Sequence, residues 1–137
     1  MSTFQKIESF TQQYQWLAPI LLRTGIAVIF LIFGIDKFFH VNAWLAYIPT
    51  WAGAFIPMDL TMFMYIQGVI EALLGFLLLI GFWSRTVSFL CALHLAGIMV
   101  AVGYNEITVR DFGLFMATLA LSLREQGKWS VDSWMKK

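Results

Sequence analysis

Hydrophobic residues run along this chain in four blocks, each broken by only a few charged positions. They cover residues 18–39, 60–82, 84–102 and 109–123. A helix needs about 20 apolar residues to cross the hydrocarbon core of a bilayer. The first three blocks reach that length, and the fourth is shorter, extending through Val109 and Arg110. The pattern predicts an all-α membrane protein, a four-transmembrane-helix bundle formed as one domain over residues 1–137. The connections at 81–84 and 103–108 are short, so the helices they join should be antiparallel.

Ahead of the first block the pattern changes. Phe4, Ile7, Phe10, Tyr14 and Leu17 recur at helical spacing with Ser, Thr, Gln and Lys between them. That predicts an N-terminal amphipathic helix lying in the membrane interface. Residues 40–59 hold Trp44, Tyr47, Pro49, Trp51 and Pro57. Such a segment suits the headgroup region, where Trp and Tyr are enriched. It also suits a re-entrant cap, provided protein covers its backbone.

Composition agrees with a lipid setting. Of the 137 residues, 60% are hydrophobic and 12% charged, against roughly 45–50% and about 25% in soluble domains. A water-soluble fold of this size cannot hide so much apolar surface. The first apolar run is too long for the core of a secretory signal, so it is read as a membrane helix. The net charge of +1 gives no basic field for nucleic acid. Lys6, Arg85, Arg124, Lys128, Lys136 and Lys137 collect on one side, with Arg23 close to it, while Lys37 and Arg110 fall on the other. By the excess of Lys and Arg in cytoplasmic loops, both termini should be cytoplasmic.

The few polar residues inside the spans carry the functional question, because an ionisable side chain in a membrane helix is costly and usually faces the bundle interior. At about 1.5 Å per residue, Glu71 lies roughly 18 Å below the outer end of its helix and His94 roughly 15 Å above the inner end of its own. Both are near the midplane, within reach of each other. Arg23, Ala27, Phe30, Gly34 and Lys37 form one stripe of the first span, and Gly68, Glu71, Ala72 and Gly75 one stripe of the second. Cys91, His94 and Ile98 share a face of the third, and Asp111, Phe115, Thr118 and Ser122 a face of the fourth. The candidate polar cluster is therefore Glu71, His94, Lys37, Arg23 and Asp111. Within it, Glu71 either pairs with Arg23, Lys37 or His94, or keeps its proton because burial disfavours its charged form.

Other chemistry finds little footing in the sequence. Cys91 is the single cysteine, and with His94 it offers only two metal ligands, so no metal site is expected. A bis-His haem would need His40, which lies at the wrong depth. There is no phosphate loop, nucleophile elbow or paired-cysteine motif.

Read in order, "FGIDK", "GVIEALLGFLLLIGFWSR", "RDFGLFMATLALSL" and "GKWSVD" resemble the DoxX-like family of small four-helix membrane proteins. The matching positions are Gly34, Lys37, Glu71, Gly75, Gly81, Arg85 and Asp111. The resemblance implies a prokaryotic cytoplasmic (inner) membrane protein serving a redox or redox-homeostasis process, since the family takes its name from a subunit of a thiosulfate:quinone oxidoreductase. It supplies no agreed catalytic residues. The ligand expected on this ground is a quinone or another small apolar molecule near Glu71 and His94, with electrons coming from a protein partner or a soluble donor. A homo-oligomer fits equally well. Two other readings stand beside it: a non-catalytic structural or assembly subunit, and a carrier for protons or a small solute.

Overall fold

In the computed structural model, residues 1–124, 127 and 129–136 are described, and they form helices joined by short turns, with no strand among them. Lys128 and Lys137, counted above toward the basic side, lie outside the described residues. Helix α1 (Thr3–Gln13) is started by Ser2, whose hydroxyl accepts from the Gln5 amide while the Gln5 side chain returns the bond. This reciprocal cap satisfies two donors that a helix start leaves open. No residue of α1 is buried.

A 3₁₀ turn at Gln15–Leu17 leads into α2 (Ala18–Phe39). Pro19 sits in its first turn, where a missing N–H costs nothing. Residues 40–59 contain two short helices, α3 (Val41–Leu45) and α4 (Thr50–Gly53). Helix α5 (Leu60–Ile80) is capped by the Asp59 carboxylate and ends where Gly81 turns left-handed, at φ 73°. That turn stops the helix two residues short of the expected 82. Helix α6 (Ser84–Val102) follows at once. Helix α7 (Glu106–Leu123) starts before the expected residue 109, because the Asn105 side chain accepts from the amides of Ile107 and Thr108. A last short helix, α8, spans Val131–Met135.

Among the described residues, three segments are long and apolar enough to cross a membrane: Gln15–Phe39, Leu60–Ile80 and Ser84–Val102. Two close helix pairs organise them, α2 with α5 and α6 with α7. The first pair is fixed by glycines. A Cβ at Gly34 would lie 2.5 Å from the Ala72 backbone nitrogen, and one at Gly75 would lie 2.9 Å from the Ala27 carbonyl oxygen. The two backbones touch, as small residues permit in lipid.

Where the two pairs meet, the halves of the bundle differ. At the end nearer the start of α2, Ile26, Ala27, Leu74, Leu78, Val87, Cys91 and Leu121 form a closed core. At the opposite end a cavity lies between the pairs, and residues 41–56 fold over it. The closed end is tied by the chain's own tail. The Asp132 carboxylate accepts from the amides of Trp83 and Ser84 at 2.8 Å each, and the Asp132 amide donates to the Gly81 carbonyl.

Arg23 belongs to this tie. Its Nη2 donates to the Trp129 carbonyl at 2.7 Å, and its guanidinium packs against Gly81 beside Ser130. The expectation that it joins the cluster around Glu71 is corrected on that point. Arg23 does share the stripe of Lys37, but fourteen residues separate them, roughly 21 Å along the axis.

Candidate functional site

Between the helix pairs lies a cavity of about 800 Å³, within the range of small-molecule sites. Its walls come from all four long helices, and its roof is the α3–α4 segment with Trp44, Tyr47, Trp51 and Phe55. Its floor is polar. Glu71 lies there between two partners, accepting from Lys37 Nζ at 2.5 Å through one oxygen and contacting His94 Nε2 at 2.8 Å through the other. The side chains of Lys37 and Glu71 are only 5% and 6% exposed, and that of His94 12%. A buried carboxylate without partners would be severely penalised; here a cation from α2 and an imidazole from α6 satisfy both oxygens.

The paired carboxylate defines the imidazole. An ionised carboxylate only accepts, so His94 Nε2 carries the hydrogen. His94 Nδ1 has no hydrogen-bond partner among the described residues, and His94 lines the cavity.

Lys37 is held from above as well. Its ammonium lies 3.8 Å from the centre of the Trp44 ring, a cation–π contact, and also approaches the Phe33 carbonyl at 3.5 Å. The indole N–H of Trp44 donates to Asp36 at 2.9 Å, and the other Asp36 oxygen contacts His40 Nδ1 at 2.6 Å. One aromatic side chain of the roof thus fastens α3 to the C-terminal end of α2. Trp44 was legible from sequence only as an interfacial aromatic.

Asp111 lines the same cavity from α7 but makes no contact with Glu71. It is 5% exposed, and its nearest partner is Arg110 Nη2 at 3.4 Å. The Arg110 guanidinium lies 5.4 Å from the Phe33 ring centre, at the cavity rim. Gln67, one turn above Glu71 on α5, also lines the cavity and has no hydrogen-bond partner among the described residues. Sequence reasoning missed it. The available signal was a second polar side chain four residues from Glu71 in an otherwise apolar span, the spacing that shares a helix face.

The family model for DoxX matches residues 3–104 of the chain. The chain belongs to the DoxX family. The stretch shared with DoxX runs from α1 through α6, so it contains Lys37, Glu71 and His94, whereas Asp111 and the tail tie lie beyond it. No curated protein and no solved structure gives a significant match.

Proposed function

We propose that this DoxX-family membrane protein serves a redox process by holding a quinone-type ring in the cavity above Glu71. The observation that carries the reading is the polar floor under an aromatic roof: Lys37, Glu71 and His94 beneath Trp44, Tyr47 and Trp51. Interconversion of a quinone and its hydroquinone moves two protons with two electrons. The Glu71–His94 pair is suited to take and return a proton at a ring oxygen, because His94 has an open nitrogen while Glu71 steadies the imidazolium that forms. Electrons would pass to or from a protein partner or a soluble carrier.

The proposal includes four membrane spans. Helix α7 has 18 residues, about 27 Å at 1.5 Å per residue, and packs along α6. Helix α1 would lie in the inner interface, since Phe4, Ile7 and Phe10 are uncovered. Both termini would face the cytoplasm of a prokaryotic cell, following the basic residues Lys6, Arg85, Arg124 and Lys136. Modification of single cysteines introduced at Ser2 and Tyr104 in intact cells tests this; the account requires Tyr104 to be reached from outside and Ser2 not.

A second reading has its own support. Glu71 ties α2, α5 and α6 together, which serves a purely structural role equally well. Glu71→Gln separates the two. A redox role requires folded protein that no longer turns over quinone with native membranes. A structural role requires lower thermal stability in detergent with any residual turnover unchanged. The carrier reading is less favoured, because Leu78, Cys91, Thr118 and Leu121 are fully buried below the floor.

A further inference from the structure

The two seams that flank the cavity are built differently. Along the seam of α2 with α7, the Arg110 guanidinium lies 5.4 Å from the Phe33 ring centre, so two large side chains bridge the wall. Along the seam of α5 with α6, Glu71 and His94 close the floor at 2.8 Å. At 3.6 residues per turn, Phe63 and Gln67 fall on the flank of Glu71 away from Gly68 and Gly75, which touch α2. By the same count Leu93 and Gly97 fall on the flank of His94 away from the buried Cys91 and Leu95. All four line the cavity. A Cβ built on Gly97 would have nothing within 4 Å, and Leu93 is 54% exposed on the bundle surface. Residues that face both the cavity and the outside stand at an opening.

That opening falls within the apolar length of both helices, each long and apolar enough to cross a membrane. Leu93 and Gly97 lie about 14 and about 20 Å from the start of α6, a helix about 28 Å long at 1.5 Å per residue. The surface around them carries Ile66, Ile70 and Leu90, all exposed. At this level the neighbour outside is hydrocarbon. A cavity with a polar floor thus has a side door onto acyl chains.

We infer that the opening between α5 and α6 is a chain slot: the ring rests on the polar floor while a long hydrocarbon chain attached to it passes between Gln67 and Gly97 into the bilayer. This rests on the ring site proposed above, and adds the class of molecule, a membrane-resident amphiphile, and the wall through which it docks. The slot gives the chain little affinity of its own, because lipid tails are as apolar as the side chains that replace them. Its effect is permissive. A chain that can stay in lipid need not be packed beside the ring, and the missing side chain of Gly97 sets the width of the passage.

The test uses the full chain in lipid nanodiscs with two probes, menadione and its phytyl-chain derivative, their affinities expressed per mole of lipid so that partitioning cancels. Both should bind with similar affinity. Gly97→Leu should weaken the phytyl compound about tenfold, the scale of forcing methylenes into filled space, and leave menadione almost unchanged. Gly113→Leu, at an equally open glycine of α7 outside the cavity wall, should change neither. A diazirine on the chain close to the ring, which needs no variant, should label Ile66, Ile70 or Leu93. Equal responses of the two probes to Gly97→Leu, or labelling of Phe55 and Met58 at the edge of the roof instead, would overturn the slot and leave the ring site standing. Binding of menadione alone would do the same. Failure of both probes to bind would overturn the slot and the ring site together.

Discussion

Lys37 of α2 and Glu71 of α5 join at 2.5 Å across a helix contact where the backbones themselves touch through Gly34 and Gly68. The ion pair is therefore buried between two helices held in close contact, at the floor of the cavity. Removing one partner of such a pair strands the other, at a cost of about 3–5 kcal/mol, whereas replacing both by apolar side chains is often nearly neutral. Lys37→Met alone should lower unfolding stability in detergent by about that amount. The double variant K37M/E71M should regain most of the loss and still fail to bind a ring ligand. Denaturant unfolding followed by tryptophan fluorescence checks the first part, and a neutral single variant would contradict it.

Gly34 carries a separate expectation. A methyl group there would meet the Ala72 backbone nitrogen at 2.5 Å and the Gly68 carbonyl oxygen at 2.8 Å, neither able to move without its helix. Gly34→Ala should force α2 and α5 apart and lower the melting temperature markedly. Gly25, also in α2, has nothing within 4 Å of an added Cβ. Gly25→Ala should be neutral or stabilise by about 0.5–1 kcal/mol, the usual gain over glycine inside a helix. Equal effects at the two positions would argue against the close packing.

The tail tie gives a third. Asp132 caps α6 from 48 residues away through the Ser84 amide, and losing a cap of this kind costs about 0.5–2 kcal/mol. Asp132→Ala should lower stability by that much and speed hydrogen exchange at the amides of Trp83 and Ser84. Binding of a ring probe in the cavity should not change, since the closed core lies between.

These relationships were unequally legible in the sequence. The depth of Glu71 and His94 follows from residue count, because a helix has a fixed rise, and their contact at 2.8 Å follows from two helices joined by a short turn. Lys37 was on the right stripe for the same reason. Arg23 was on that stripe too, yet a stripe fixes a direction and not a depth, and the tail's carbonyl competes for the guanidinium locally. Gln67 shares the face of Glu71 four residues away, but an uncharged amide costs far less in a span than a carboxylate and so points less sharply to a site. The roof could not be read at all. Trp44 meets Lys37 and Asp36 only through the irregular path of residues 40–59, which no periodicity describes. The Asp132 cap depends on a contact distant in sequence.

The central claim is that a ring molecule occupies the cavity above Glu71, and site-directed photolabelling measures this most directly. An azido-naphthoquinone, irradiated with the purified protein in nanodiscs and mapped by mass spectrometry, should label residues of the walls and roof such as Phe63, Gln67, Ile98 and Trp44. Excess unlabelled naphthoquinone or dihydroxynaphthalene should suppress that labelling, and the K37M/E71M variant should abolish it. Labelling spread over the lipid-facing residues Ile32, Val69 and Leu73, unaffected by competitor, would contradict the account.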